Sequence, residues 1–281
     1  MNDKATFIDT ADGTEYRTTL LSWTTDMQCW SWSLPAMDSC PMAYFKIHPD
    51  GRPAICDSCY AVTNRYGFNN VAESQWKRYI WTIHLLKHDR QFWIQTMAAA
   101  IDRSTKNGFF RGHDSGDFFQ IDYIDAWHDV CRLLPHIKFW FPTRAWTAPG
   151  KKWKTALARL HGLDNVIVRP SALHFDHASP DVDTLGAGSS AHTTEEHGRT
   201  ISLDTIEHKL CQKALVKGGS CESTGCRGCW EDPEWAYSYY VHGHQGRHVA
   251  FTVSAKILSK RAERANKFRS MTISVPESVA A

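Results

Sequence analysis

The chain has 281 residues, 42% of them hydrophobic, which is enough for one large domain and a core that needs no covalent staples. Its formal net charge is only +2 and it carries no long Lys/Arg run, which argues against a strong nucleic-acid footprint. The stretch MNDKATFIDTADGTEYRTT has no apolar signal-peptide region, and no segment approaches the ~18 apolar residues of a membrane span, so a cytoplasmic protein without a membrane is expected.

In chain order, residues 1–25 are polar, rich in Thr and Asp, and predict a strand or hairpin. Residues 26–66 form a Cys-rich, loop-like region punctuated by Pro35, Pro41, Pro49, Gly51 and Pro53. From 71 to 105, Trp76, Tyr79, Ile80, Ile83 and Leu86, then Phe92, Ile94, Met97 and Ile101, recur at helical spacing, with a break near Asp89. Residues 105–175 alternate. GFFRGH (108–113), IKFWFPT (137–143) and NVIVRPS (165–171) predict strands, and the stretches 118–134 and 150–162 predict amphipathic helices.

Near-continuous apolar strands alternating with helices are the pattern of parallel βα units buried on both faces. The fold expected is α/β, a (β/α) barrel or partial TIM-like barrel, over 1–281 as a single domain. The glycine fingerprint of a dinucleotide-binding sheet is absent. Residues 175–200 predict a surface excursion, 205–232 a second Cys-rich loop, and HVAFTVS (248–254) a late strand. The most basic stretch, KILSKRAERANKFR (256–269), predicts a solvated helix face. Twelve tryptophans predict a well-packed core or aromatic-lined cavities.

Nine cysteines in a reducing compartment are poorly explained by disulfides, and their clustering points to metal. The C-terminal set is Cys211-x9-Cys221-x4-Cys226-x2-Cys229. Four thiolates can close a tetrahedral zinc site or hold a [4Fe–4S] cluster. Only one Cys-x2-Cys knuckle is present, and glycines at 218, 219, 225 and 228 suit a loop wrapped around a larger inorganic core. The N-terminal set is Cys40-x15-Cys56-x2-Cys59, with Cys29 a weaker fourth candidate. Three thiolates without a fourth would leave one iron open to substrate or S-adenosylmethionine. Spacing leaves open whether there are one or two clusters, or a cluster and a zinc. Cys131, among Val130, Leu133 and Leu134, is expected in the core.

WSLPAMDSCPMA, CDSCYA, HDSGDFF, FWFPTR, VRPS and GGSCESTGCRGCW, in this order, resemble a phage-encoded family known as gene product 88. The resemblance runs from about residue 30 to 230 and extends to phage proteins with a CxxCYA segment and radical-SAM kinship. It implies a barrel-like fold and iron–sulfur binding, and brings no settled activity. Cys29 lies outside the shared frame, and the Cys-x3-Cys-x2-Cys spacing of radical-SAM enzymes is not present.

A second constellation, RGHDSGDFF (111–119), sits at a predicted strand's C-terminal end, where parallel βα architectures build their sites. His113, Asp114 and Asp117 supply a base and two carboxylates, Ser115 a hydroxyl, and Gly116 room for a ligand. Asp117 or Ser115 could equally cap the following helix. Arg144 follows the next strand and Arg169 and Ser171 the one after, the arginines offering forks for an anion or salt bridges to Asp114 or Asp117. His242 and His244, two apart in a third polar cluster (242–248), could ligate a metal, although surface exposure is the commoner outcome for such residues.

Together these predict a phage-type iron–sulfur protein in the host cytoplasm with redox or radical-SAM-like chemistry on an unknown small molecule. Cys40, Cys56 and Cys59 would hold the reactive cluster, and Cys211, Cys221, Cys226 and Cys229 an auxiliary one. His113, Asp114, Asp117, Arg144 and Arg169 would be catalytic, and Ser115, Gly116 and Ser171 cofactor-binding. The alternatives are a zinc-binding, non-enzymatic module acting on a host partner, or a plain electron carrier.

Overall fold

A computed structural model describes residues 4–51, 53–62, 64–192, 209–216, 218–240 and 255–276. In chain order the strands and helices are β1 (Lys4–Asp9), β2 (Glu15–Thr19), β3 (Ser22–Thr24), β4 (Cys29–Ser33), α1 (Asn69–His88), α2 (Arg90–Ser104), β5 (Phe109–Ser115), α3 (Ile121–Leu133), β6 (Lys138–Thr143), α4 (Lys151–His161) and β7 (Val166–Pro170). There follow β8 (Ser189–His192), β9 (Lys209–Leu210), α5 (Gln212–Leu215), α6 (Gly228–Glu231), β10 (Tyr237–Tyr240), α7 (Ala255–Arg269) and β11 (Ile273–Ser274). The expected late strand at 248–254, His242 and His244 lie outside the described residues.

The central sheet has the order β3-β4-β5-β6-β7, with β4 to β7 mutually parallel. Neighbouring parallel strands are consecutive in sequence, and α2, α3 and α4 pack side by side. Sequential order with same-handed crossovers places such helices in one layer on one face. A parallel bridge from Ser171 to Ser189 carries the pairing past β7 to β8, which pairs with β10 and then β9. Among the described residues the strands form three sheets and no closed barrel. The opening hairpin β1–β2 forms as expected, is joined by β11 and rests on α1.

The pleat explains the composition. Trp32, Phe110, Phe139, Phe141, Val166 and Val168 point to the helix layer. There Trp32, Trp93 and Trp127 meet edge to face, with ring centroids 5.5 to 6.4 Å apart. These three tryptophans and Trp81 are fully buried, so much of the tryptophan content is packing. Cys131 is in the same core.

Two local expectations are corrected. Residues 29–33 are not loop but β4, because CWSWS alternates its tryptophans toward the core and the prolines begin only afterwards. Part of the supposed surface excursion is β8, in which Ser189, Ser190 and His192 are buried. The basic α7 is exposed along most of its length, the solvated face expected for it, and it also reaches back to the first cysteine loop, with Arg261 2.7 Å and Arg269 3.1 Å from Asp38. The helix break at Asp89 is as expected, with its carboxylate accepting the Phe92 amide at 3.0 Å. Among the described residues no helix is long and apolar enough to cross a membrane.

Candidate functional site

The loop after β4 carries the N-terminal cysteines to the C-terminal ends of β5 and β6. Cys40 lies within electrostatic reach of Asp117, Cys59 and Cys56, and Cys59 within reach of Cys56, Arg144 and Arg261. Burial pushes the Cys40 thiol well up and raises that of Cys59, because a thiolate there would lack water. Metal coordination would remove that penalty by replacing the proton.

Strand β5 ends irregularly. Its pairing with β4 slips between Ser31 and Ser33, and His113 takes a left-handed φ of 57°. The slip divides the predicted acid–base cluster between two faces. His113 turns to the helix layer, where its Nε2 lies 3.1 Å from the Tyr123 hydroxyl and its ring abuts Phe118 and Phe141. Burial, then the nearby Arg111 guanidinium, lowers its pKa to about 3, so it is neutral. Asp114 stays with Arg111, whose guanidinium donates to its Oδ1 at 2.7 Å, and with Tyr66, whose hydroxyl donates to its Oδ2. Arg111 also donates to the Tyr60 hydroxyl at 3.0 Å and lies over the Trp140 ring. Burial holds Tyr60 protonated, with its pKa raised to about 12.

Asp117 does not cap α3, whose N-cap is Gln120. Its buried carboxylate accepts from Thr143 Oγ1 at 2.6 Å, Arg144 N at 2.8 Å and Phe118 N at 2.7 Å, tying the end of β5 to the end of β6. Desolvation raises its pKa against those three hydrogen bonds. The Arg144 side chain faces Cys59 and Asp117, and its Nε is buried with no hydrogen-bond partner among the described residues. Ser115 donates to the Leu34 carbonyl at 2.8 Å. Gly116 has φ +85°, and a Cβ there would lie 2.5 Å from Ser39 Oγ. Its close approach is therefore to the residue before Cys40. Ser171 receives the Trp146 indole on its carbonyl at 3.1 Å.

Arg169 is fully buried and spends its fork on protein. It donates to the carbonyls of Ala187 at 2.5 Å, Trp235 at 2.7 Å and Asp232 at 2.9 Å, and over longer distances to Gly188 and Gly228. It clamps the 187–188 and 228–235 segments together beneath the second cysteine set.

That set forms a separate group. Cys221 is within electrostatic reach of Cys229, Cys211 and Cys226, and burial pushes it up to about 12. Cys229 rises to about 11, again chiefly by burial, with its Sγ 3.0 Å from the Tyr239 hydroxyl. The segment covers the sheet face opposite the helices. The Trp230 indole donates to the Phe110 carbonyl at 2.8 Å, and Cys29, Trp140, Cys229 and Trp230 form one apolar cluster. Cys29 is thus near the C-terminal set, with its Sγ 3.2 Å from Thr24 Oγ1. Gly228 is needed for packing, since a Cβ would fall 1.7 Å from the Tyr237 hydroxyl.

Both sets and the strand ends between them lie inside residues 3–232, over which the chain matches the family described as Gene product 88. The chain belongs to the gene product 88 family. One gene product 88 relative, the Gene 88 protein of Mycobacterium phage L5, is 39% identical over 82 residues, a stretch covering 28% of this chain and 28% of that protein. No solved structure matches the chain.

Within this gene product 88 chain, sequence reading missed Arg111, Tyr60 and Tyr66. Arg111 opens the RGHDSG stretch and Tyr60 follows Cys59 directly, so both had a positional signal. It also missed a trio with closely spaced donor atoms. Among the described residues, His48, Asp50 and His177 offer donors that all lie within 4.8 Å of one another.

Proposed function

We propose that this gene product 88 chain binds iron–sulfur clusters through its two cysteine sets, on a partial (β/α) barrel. The N-terminal set would serve redox or radical-SAM-like chemistry on an anionic small molecule. The observation that carries this is the gathering of Cys40, Cys56 and Cys59 beside Asp117 and Arg144 at the C-terminal ends of parallel strands. In βα architectures that end builds the site. Single-layer helices over sequentially ordered parallel strands favour barrel winding over a doubly wound sheet, in which the strand order reverses.

The donor chemistry fits a cluster. In the C-terminal set, a single Cys-x2-Cys knuckle with glycines at 218, 219, 225 and 228 suits a loop wrapped around a larger inorganic core, which favours iron–sulfur over the zinc-module alternative. A [4Fe–4S] cluster held by three cysteines would supply one-electron transfer and an open iron. The chain's own residues would do the rest. Arg144 would receive the anionic part of a cosubstrate with its unsatisfied Nε side. The Arg111–Asp114–Tyr60–Tyr66 network would hold the loop that carries Cys56 and Cys59, since Tyr60 donates to the Asp114 carbonyl at 2.5 Å. Trp140 and Trp230 would exclude water from the sheet face.

Anaerobic purification followed by absorption and by iron, sulfide and zinc analysis tests this. A broad band near ~400 nm with equal iron and sulfide supports it. Loss of one cluster's iron in Cys56→Ser and of another's in Cys226→Ser would establish two sites. A colourless protein carrying zinc overturns it.

A further inference from the structure

We propose that His48, Asp50 and His177 form a mononuclear site for a divalent transition metal of the zinc or iron(II) class, separate from both cysteine sets. Asp50 stands between the two imidazoles. Its Oδ1 is 2.7 Å from His48 Nδ1, and its Oδ2 is 3.9 Å from His177 Nε2. Bonds of ~2.0–2.1 Å in a tetrahedron set donors about 3.3 Å apart, a value these separations bracket. At 2.7 Å the imidazole nitrogen and the carboxylate oxygen stand at ordinary hydrogen-bond distance, and a metal ion would take the place of the ring N–H proton that joins them.

The backbone is built to present these donors. Gly51 donates its amide to the His48 carbonyl at 2.8 Å, closing a tight turn at φ +86° that brings His48 and Asp50 together. The opposing segment is pinned alongside. Ile55 N donates to the Leu173 carbonyl at 2.9 Å, and Ala54 bridges His174. His174, with Nε2 3.0 Å from the Lys46 carbonyl, packs its ring against those of His48 and His177 at centroid distances of 5.0 and 5.3 Å. This imidazole fills the space behind the site and orients the two ligand rings.

Two imidazoles and one carboxylate suit Zn²⁺, Fe²⁺ or Co²⁺ and leave positions for water or a further ligand, whereas Mg²⁺ and Ca²⁺ prefer oxygen alone. The side chains are 31% to 38% exposed, so an ion can enter from solvent. His48 and Asp50 belong to the 15-residue spacer between Cys40 and Cys56, and His177 follows β7. A bound ion would fasten that spacer to the sheet and fix the loop from which Cys56 and Cys59 project.

The test is anaerobic Co²⁺ titration of the full chain, read by visible and near-ultraviolet absorption. Cobalt held by nitrogen and oxygen shows visible bands without thiolate charge transfer, so this site is read apart from the cysteine sets whether or not those bind iron. One equivalent of such cobalt is expected in the wild type and in Cys221→Ser, displaced by Zn²⁺. His48→Ala and His177→Ala should each bind it at least about tenfold more weakly while keeping the wild-type metal content of the cysteine sets. Asp50→Asn is the further variant if a histidine replacement fails to fold. Absence of thiolate-free cobalt in the wild type, or unchanged affinity in the variants, overturns the proposal.

Discussion

Replacing His113 by Asn should flatten the acid limb of the stability curve. In the fold this imidazole is encased by Phe118, Tyr123 and Phe141, and burial, then Arg111, lowers its pKa from 6.5 to about 3. Below about pH 6.5 the unfolded chain takes up a proton that the folded chain refuses until about pH 3, so stability falls as pH falls through that window. Linkage makes this one group worth about 2 kcal/mol less stability at pH 5 than at pH 7. Asparagine does not titrate, and it tolerates the left-handed φ of 57° better than most residues. The assay is urea unfolding at both pH values for wild type and His113→Asn. Asp117 is common to both proteins, so its titration largely cancels in the comparison. The variant should lose about 2 kcal/mol less than wild type between pH 7 and pH 5. An equal loss in both proteins refutes the neutral, buried imidazole.

Arg169→Lys should lower stability by about 3 kcal/mol in urea unfolding, because an ammonium cannot span the carbonyls that the buried fork holds. A midpoint unchanged from wild type would show the clamp to be dispensable. Gly116→Ala forces a Cβ to 2.5 Å from Ser39 Oγ at φ +85°, and about 2 kcal/mol or more should be lost in urea unfolding. Wild-type stability would contradict the close approach. Asp38→Asn removes the carboxylate shared by Arg261 and Arg269, and limited proteolysis should then cut in α7 faster than in wild type. Equal cleavage rates would show that the ion pairs to Asp38 are dispensable and that the packing of Ala265 and Phe268 on Trp76 suffices to hold the helix.

The βα units from 105 to 175 were legible because each strand is an apolar run and each helix shows an apolar stripe. Observed bounds of Phe109–Ser115, Ile121–Leu133, Lys138–Thr143, Lys151–His161 and Val166–Pro170 fall within a few residues of those predicted. Strand β4 was hidden by its serines, which make CWSWS look irregular until Trp32 is seen in the core. Strand β8 was hidden because SSAH has no apolar run and is buried by pairing with β10. Sorting the cysteines into two groups needed only their spacing, but the division of His113 from Asp114 depended on a bulge that no local pattern announces. The burial of Arg169 was illegible for a related reason. Its partners are carbonyls 18 to 66 residues away, and a carbonyl has no signature in a sequence.

The cover over the sheet's second face comes from far along the chain. Cys221 donates its amide to the Asp26 carbonyl at 3.0 Å, Arg227 donates to Met27 at 2.8 Å, and Trp230 caps Phe110. During synthesis all five strands of the central sheet leave the ribosome before that cover exists. A nascent chain halted near residue 200 therefore displays Phe109, Trp140 and Cys29 bare, a sticky surface and a target for chaperones. Contacts across some 200 residues of sequence carry a large loop-closure cost, so this cover is expected to close after the local βα units have formed. On the proposed reading, iron arriving during that interval would meet the first cysteine loop already emerged and the second still to come.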